Sequence, residues 1–361
     1  MQVAVLGGGH GCYAAAVEMS EKGHQVRLWR RDQEQLKPVL ESGCITVVDF
    51  KGERDVPVNK VTTDLKEAVS GADVILIPLP ATVHEDLSGN LAPYLEEGQI
   101  VYLPPGTFGS YILARAMKDS GNKAKVCFAE TGTLPYLARK HGPTKVQISC
   151  YATRLPTGVF PARDRETTLS TLKELYPVED CGDILSGALM NAGPIIHPPL
   201  ILMNAGPLEH FDTWDIHNEG TQPSIRKVTD ALDAERICVR EALGYGVPHF
   251  PLADHYHDER DEWMYGNAAH QKLTDSGDWR EHINLQTHRY MLEDVATGLG
   301  LLVSVGRYAG VSTPIASGLL AMGSAIAGYD FYARGRTLEN LELAGKSVGE
   351  LQALLNQGFD D

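Results

Sequence analysis

Residues 1–32, MQVAVLGGGHGCYAAAVEMSEKGHQVRLWRRD, leave few folds open to this chain. The apolar run Val3–Leu6 meets three consecutive glycines, a small-residue stretch suited to a helix follows, and Gln25–Trp29 returns as a second strand. That order is the layout of a dinucleotide-binding βαβ unit. Gly7 permits the tight turn after the first strand, and Gly9 lets backbone approach a pyrophosphate. His10, Gly11 and Cys12 then open a helix whose first N–H groups face phosphate oxygens. Cys12 stands where the fingerprint has Gly or Ala, which predicts a slight shift of helix packing without loss of pyrophosphate binding. The second strand runs into Arg30 and Arg31, where an NAD-specific fold places an acid for the ribose hydroxyls. Guanidinium groups suit a 2′-phosphate, so the expected cofactor is NADP in preference to NAD, the alternative being two surface arginines beside NAD.

A chain of 361 residues suits two domains. The expected division is 1–184, dinucleotide-binding, and 185–361, helical and carrying substrate and catalysis. Before the division, Val74–Pro78, Ile100–Leu103, Lys125–Phe128 and Val146–Cys150 read as buried strands alternating with helices. Ile45–Phe50 and Val56–Val61 form a β excursion through Lys51-Gly52. From about Leu185 the spacing becomes helical, over Ile184–Asn204, Pro223–Leu243, Asp278–Val295 and Thr313–Tyr332. The expected class is therefore α/β: a Rossmann doubly wound domain followed by an all-α C-terminal domain.

The net charge of −15 argues against nucleic acid or an anionic membrane as partner. The first strand starts at Gln2 and no apolar stretch is expected to reach spanning length, which makes the cytoplasm the expected location. Six cysteines without CxxC spacing read as reduced and mostly buried. The histidines and acids of His249–Glu262, HFPLADHYHDERDE, lack a matching distal ligand set, so no metal is expected and the stretch reads as a polar excursion.

Two strand ends break in prolines, Pro78 and Pro80 in ADVILIPLPAT and Pro104-Pro105-Gly106-Thr107 one strand later. Ligands of open α/β sheets bind at such carboxyl ends, which marks Pro80 and Thr107 as cofactor neighbours, although each is also an ordinary strand terminator. In the helical half, NAGPIIHPP at Asn191–Pro199 sets His197 among apolar residues. Histidine suits proton transfer near neutrality, and it is equally at home as a satisfied core residue. On a second expected helix, Tyr290 and Asp294 share a face at i, i+4. A carboxylate against His197 would fix its tautomer; the alternative is that Glu293 and Asp294 form a solvated helix face.

These residues also carry a resemblance. GGGHG at Gly7–Gly11, PATVH at Pro80–His84, PPGTFG at Pro104–Gly109, AETGTLPYLAR at Ala129–Arg139, NAGPIIHPPLILMNAGPLEH at Asn191–His210, EGTQPSI at Glu219–Ile225, LDAERICVREALG at Leu232–Gly244, RYMLEDVATGL at Arg289–Leu299 and TPI at Thr313–Ile315 together resemble the opine dehydrogenases, the octopine dehydrogenase-like group of two-domain oxidoreductases. The resemblance spans nearly the whole chain. The glycine motif is common to many Rossmann proteins, whereas the His197 segment followed by the Glu293-Asp294 pair is far more specific.

The resemblance implies NAD(P)H-dependent reductive condensation of an amino acid's amine with a 2-keto acid through an imine, and the reverse oxidation. It implies a His–Asp acid/base dyad at His197 and Asp294, acting in the cleft between domains. The substrate carboxylates need cationic or N–H partners, for which Arg139 and Arg289 are the candidates nearest the matched motifs, though Arg289 can instead pair with Glu293 at i, i+4. Thr133 and Tyr136 are expected on the substrate side, with Asn204 and Thr221 as weaker candidates. Apolar residues around Ala316–Ala327 pair two chains into a homodimer or form a core helix. Two other readings remain: a keto acid reductase of the glycerol-3-phosphate or ketopantoate kind, whose lysine this chain replaces with His197, and a non-catalytic NADPH-binding sensor.

Overall fold

The computed structural model describes residues 1–257, 263–266 and 268–359. The chain divides into two units, Met1–Ala188 with Leu355–Asp361, and Leu189–Leu354. The division falls four residues beyond the expected 184. The tail, assigned from sequence to the second domain, joins the first. Aromatic packing accounts for this: the Phe359 ring lies 5.2 Å from Phe160 and 5.8 Å from Tyr111, with Lys118 Nζ 4.9 Å above it.

The first unit contains twelve strands, β1 Gln2–Leu6, β2 Gln25–Trp29, β3 Cys44–Asp49, β4 Gly52–Pro57, β5 Lys60–Thr62, β6 Val74–Leu76, β7 Ile100–Leu103, β8 Cys127–Thr131, β9 Tyr136–Lys140, β10 Lys145–Tyr151, β11 Leu155–Phe160 and β12 Val178–Asp183. Eight of them form one sheet in the order β12-β11-β8-β7-β6-β1-β2-β5. It is parallel from β5 to β8, and β11 then pairs antiparallel with β8. Val3, Ala4, Val5 and Leu6 are wholly buried, the continuous apolar run that a parallel strand covered on both faces requires. The chain reverses between β6 and β1 on one side and β2 on the other, so the carboxyl end of β1 stands at the topological switch point.

The excursion forms a hairpin, β3 with β4, and its strands join β10 and β9 in a second sheet of order β4-β3-β10-β9. Val146–Cys150, expected in the main sheet, therefore belongs elsewhere, because β10 pairs parallel with β3 through Thr46 and Lys145. The helix His10–Glu21 underlies both sheets: Cys12, Tyr13, Ala14 and Ala16 are buried in the same core as Tyr136, Ala138, Val146 and Ile148.

Among the described residues the second unit is helical apart from a two-residue antiparallel pairing of Trp214–Asp215 with Arg280–Glu281. Asp278–Val295, expected as one helix, instead carries that strand and then a π-helix, Tyr290–Leu299. Pro314–Ala327 is a helix whose apolar face of Ala316, Leu319, Leu320 and Gly323 is buried, with Met322 47% exposed. Ile184–Leu202 corrects one expectation, since its 19 residues are long and apolar enough to cross a membrane. Because 83% of that window is buried within the protein, it is a core segment. All six cysteines are free, but only Cys12 and Cys150 are buried and Cys238 is exposed, fewer than expected.

Candidate active site

In the first unit the glycine loop follows β1. Gly7 has φ +120°, and a Cβ there would stand 2.5 Å from Leu79 and 2.7 Å from the Cys12 sulfur, so turn and packing both demand glycine. Gly9 precedes the helix His10–Glu21 in extended conformation, and a Cβ on it would meet nothing within 4 Å. That open space beside a helix N-terminus fits a pyrophosphate. Cys12 fits closely: its thiol donates toward the Leu6 carbonyl at 3.6 Å and the Pro78 carbonyl at 3.5 Å, tying the helix to the ends of two strands. Burial pushes this thiol up to about 11, so it is a neutral structural group.

The two arginines after β2 diverge. Arg31 pairs with Asp86 at 2.8 Å on the open surface. Arg30 folds back over the loop, donating to the Gly8 carbonyl at 3.4 Å, the Gln35 carbonyl at 3.5 Å and the Gln35 side-chain carbonyl. A second cation that sequence reasoning missed reaches the same place. Lys140 Nζ donates to the Gly8 carbonyl at 3.2 Å and lies 3.6 Å above the centre of the Tyr13 ring, while its backbone N–H donates to His10 Nδ1 at 2.8 Å.

The expected Arg139 is its neighbour on β9, and successive strand residues point to opposite faces. The glycine-loop side is thus taken by Lys140. Tyr136 corrects another expectation: it is 1% exposed, and its hydroxyl donates to Glu18 at 2.6 Å and meets the Tyr176 hydroxyl at 2.9 Å, which makes it a core residue. Thr133 is half-buried beside it in sequence.

At the next two strand ends, Pro80 precedes a short 3₁₀ turn and Thr107 is 1% exposed with φ +50°. The left-handed Thr107–Phe108 turn is clamped from below by the fully buried Glu130, whose carboxylate accepts from Phe108 N at 2.7 Å, Ser110 N at 3.0 Å and the Ser110 hydroxyl. Glu130 lay within AETGTLPYLAR, but nothing in its spacing marked a buried acid. Its signal was the strained TFG turn that needs an acceptor.

In the second unit the helix Gly193–Leu202 begins with an Asx turn, Gly193 N to Asn191 Oδ1 at 3.0 Å, and with Pro194 in its first turn. Its His197 Nδ1 lies 2.8 Å from Asp294 Oδ2 on the π-helix, with side chains 15% and 5% exposed. Tyr290 stacks on the imidazole, ring centres 3.9 Å apart and planes 22° from parallel. The solvated-face alternative is excluded, since Glu293 is 5% and Asp294 3% exposed. Burial drives the Asp294 carboxyl up to about 7, against the lowering effect of Arg289.

Glycines bring these helices together. A Cβ on Gly193 would overlap Asp294 Oδ1, and one on Gly298 would overlap Pro194. Arg289 sits 4.6 Å from the Tyr290 ring centre and 3.6 Å from Glu293 Oε2, with 46% of its side chain exposed. His217, also missed from sequence, is buried with its ring 5.7 Å from that of His197. Asn204 and Thr221 serve structure: Asn204 donates to the Leu200 and Gly220 carbonyls and accepts from Trp214, and Thr221 donates to the Ile216 carbonyl. No group of three or more metal-ligating side chains occurs among the described residues, and Asp258–Glu262 of the acidic excursion lies outside them.

A switch-point glycine loop in one unit and a half-buried, oriented imidazole in the other define an NAD(P)-dependent oxidoreductase. Residues 180–327 match the family model for the NAD/NADP octopine/nopaline dehydrogenase alpha-helical domain, and residues 2–128 that for the NAD-dependent glycerol-3-phosphate dehydrogenase N-terminus. The chain is 30% identical to an opine dehydrogenase of Arthrobacter sp. (strain 1C), with 97% of each chain covered, and 25% identical to the octopine dehydrogenase of Pecten maximus, with 100% and 97% covered. It belongs to the opine dehydrogenase family. The fold is also that of an octopine dehydrogenase solved with NADH and agmatine (TM-score 0.72, 18% identity, 100% and 99% covered) and of yersinopine dehydrogenase solved with NADP+ (TM-score 0.68, 14% identity, 99% and 98% covered).

Proposed function

We propose that this protein joins the amine of an amino acid to a 2-keto acid by reductive condensation through an imine, and runs the reverse oxidation. The observation that supports this most is the 2.8 Å contact of His197 Nδ1 with Asp294 Oδ2 in a family member. Bound NAD(P)H supplies the hydride that reduces the imine carbon. With Nδ1 held by the carboxylate, His197 exchanges its proton through Nε2. Loss of water from the carbinolamine and protonation of the developing amine each need a proton near neutral pH, and one oriented imidazole serves both. Asp294 stabilises the imidazolium and fixes its tautomer, while Tyr290 holds the ring plane by stacking. Arg289, with 46% of its side chain exposed and its guanidinium 4.6 Å from the Tyr290 ring centre, is the cation for a substrate carboxylate. Arg30 in place of an acid after β2 supports NADP(H) over NAD(H).

The test follows NADPH and NADH oxidation with a panel of 2-keto acids, each with and without amino acids. Consumption only when both partners are present supports the reading. Oxidation with keto acid alone would replace it by a keto acid reductase, the reading favoured by the glycerol-3-phosphate dehydrogenase match of residues 2–128. Tighter binding of NADH than NADPH would overturn the cofactor preference.

A further inference from the structure

Two cations converge on one carbonyl oxygen. Arg30 reaches Gly8 O at 3.4 Å from the end of β2, and Lys140 reaches it at 3.2 Å from the end of β9, a strand of the other sheet. Their remaining partners among the described residues are the Gln35 carbonyl groups and the hydroxyl and ring face of Tyr13, all neutral. Like charges brought this close repel, and among the described residues no carboxylate is set between them to compensate. An anion is the group that turns this repulsion into binding. The location narrows its identity, since the carboxyl end of β2 beside the first glycines is where the adenosine ribose of a dinucleotide lies.

We propose that Lys140, acting with Arg30, binds the 2′-phosphate of NADP(H) and is a cofactor-specificity residue of this protein. The inference rests on the NADP(H) reading above. Lys140 is placed for this by its own backbone, which donates to His10 Nδ1, and by Tyr13, whose ring face holds the ammonium. Burial, then the charge of Arg30, lowers the Lys140 ammonium to about 8. The other groups facing it, the Cys12 thiol and Tyr13 phenol, are raised and neutral at that pH, and His10 contributes a ring nitrogen. A dianion bound here favours the charged ammonium, so NADPH binding near pH 8 takes up more protons than NADH binding does.

The test measures dissociation constants of the full-length protein for NADPH, NADH and adenosine 2′,5′-bisphosphate by calorimetry, for the wild type, Lys140→Met and Lys140→Arg. The methionine keeps the apolar stem without the charge. Expected is an approximately 10- to 100-fold loss of NADPH and bisphosphate affinity in Lys140→Met, NADH affinity within about twofold, and recovery in Lys140→Arg. Equal losses for NADPH and NADH, or no loss for either, would overturn the proposal. Should Lys140→Met not fold, proton uptake by the wild type in two buffers at pH 8 decides: equal uptake with both cofactors sinks it. A wild type that prefers NADH while Lys140→Met still weakens NADPH alone would end the preference and leave the phosphate site standing.

Discussion

The glycines of the two units do opposite work. At Gly9 an added Cβ would touch nothing within 4 Å, whereas at Gly193 it would overlap Asp294 Oδ1. In the first unit glycine keeps space in reserve for a ligand that the protein meets with backbone. In the second it removes space, so that two helices approach until a histidine and an aspartate touch. The first is defined by what it leaves open, the second by side chains already in contact.

That contrast can be broken by mutation. The largest effect is expected for His197→Ala, with turnover down about 10²- to 10⁴-fold and cofactor affinity nearly intact, read from steady-state kinetics and cofactor titration. Normal turnover would remove His197 from the mechanism. Gly193→Ala should approach that loss, because the new methyl displaces Asp294, and overpacking should cost about 1–3 kcal/mol of stability. Gly9→Ala should do the reverse: an unchanged melting temperature with cofactor binding weakened about tenfold. If both alanines act alike on melting and on cofactor affinity, the contrast collapses.

A milder prediction concerns pH. Burial raises the Asp294 carboxyl of the proposed dyad to about 7. Reduction needs the proton on the dyad, so its kcat/KM should fall as pH rises through about 7, while oxidation should rise over the same interval. Parallel profiles in the two directions would refute the assignment. The smallest effect is on stability. The folded value of Asp294 lies above the roughly 3.9 of an unfolded aspartate, so between about pH 4 and 7 the unfolded chain gives up a proton that the fold retains, and stability falls progressively over that interval. Asp294→Asn should therefore melt a few degrees higher than the wild type at pH 8 and show no advantage at pH 4. A lower melting point at pH 8 would argue that the ion pair with His197 outweighs burial.

What sequence could and could not reveal follows from the range of each interaction. The βαβ fingerprint was legible because residue type and local spacing carry it, whereas His197 and Asp294, 97 residues apart, drew notice through the motifs that carry the family resemblance. The second sheet was not, because β10 finds β3 across about a hundred residues, and a strand's apolar run does not name its partner. Lys140 was hidden by alternation: Arg139 drew notice as an arginine, yet the neighbouring side chain takes the loop face. Tyr136 resembled a pocket residue in its motif but spends its hydroxyl on Glu18 and Tyr176. Cys12, an oddity as a letter, becomes a tether once the two carbonyls it meets are seen.

The return of Leu355–Asp361 to the first unit has a consequence for biosynthesis. A growing chain emerges from the ribosome in order, and domains ordinarily finish folding in that order. Here the nucleotide-binding unit cannot place Phe359 against Tyr111 and Phe160 until every residue of the helical unit has been made. The helical unit is an insertion, and the segment made earliest is among the last to be completed.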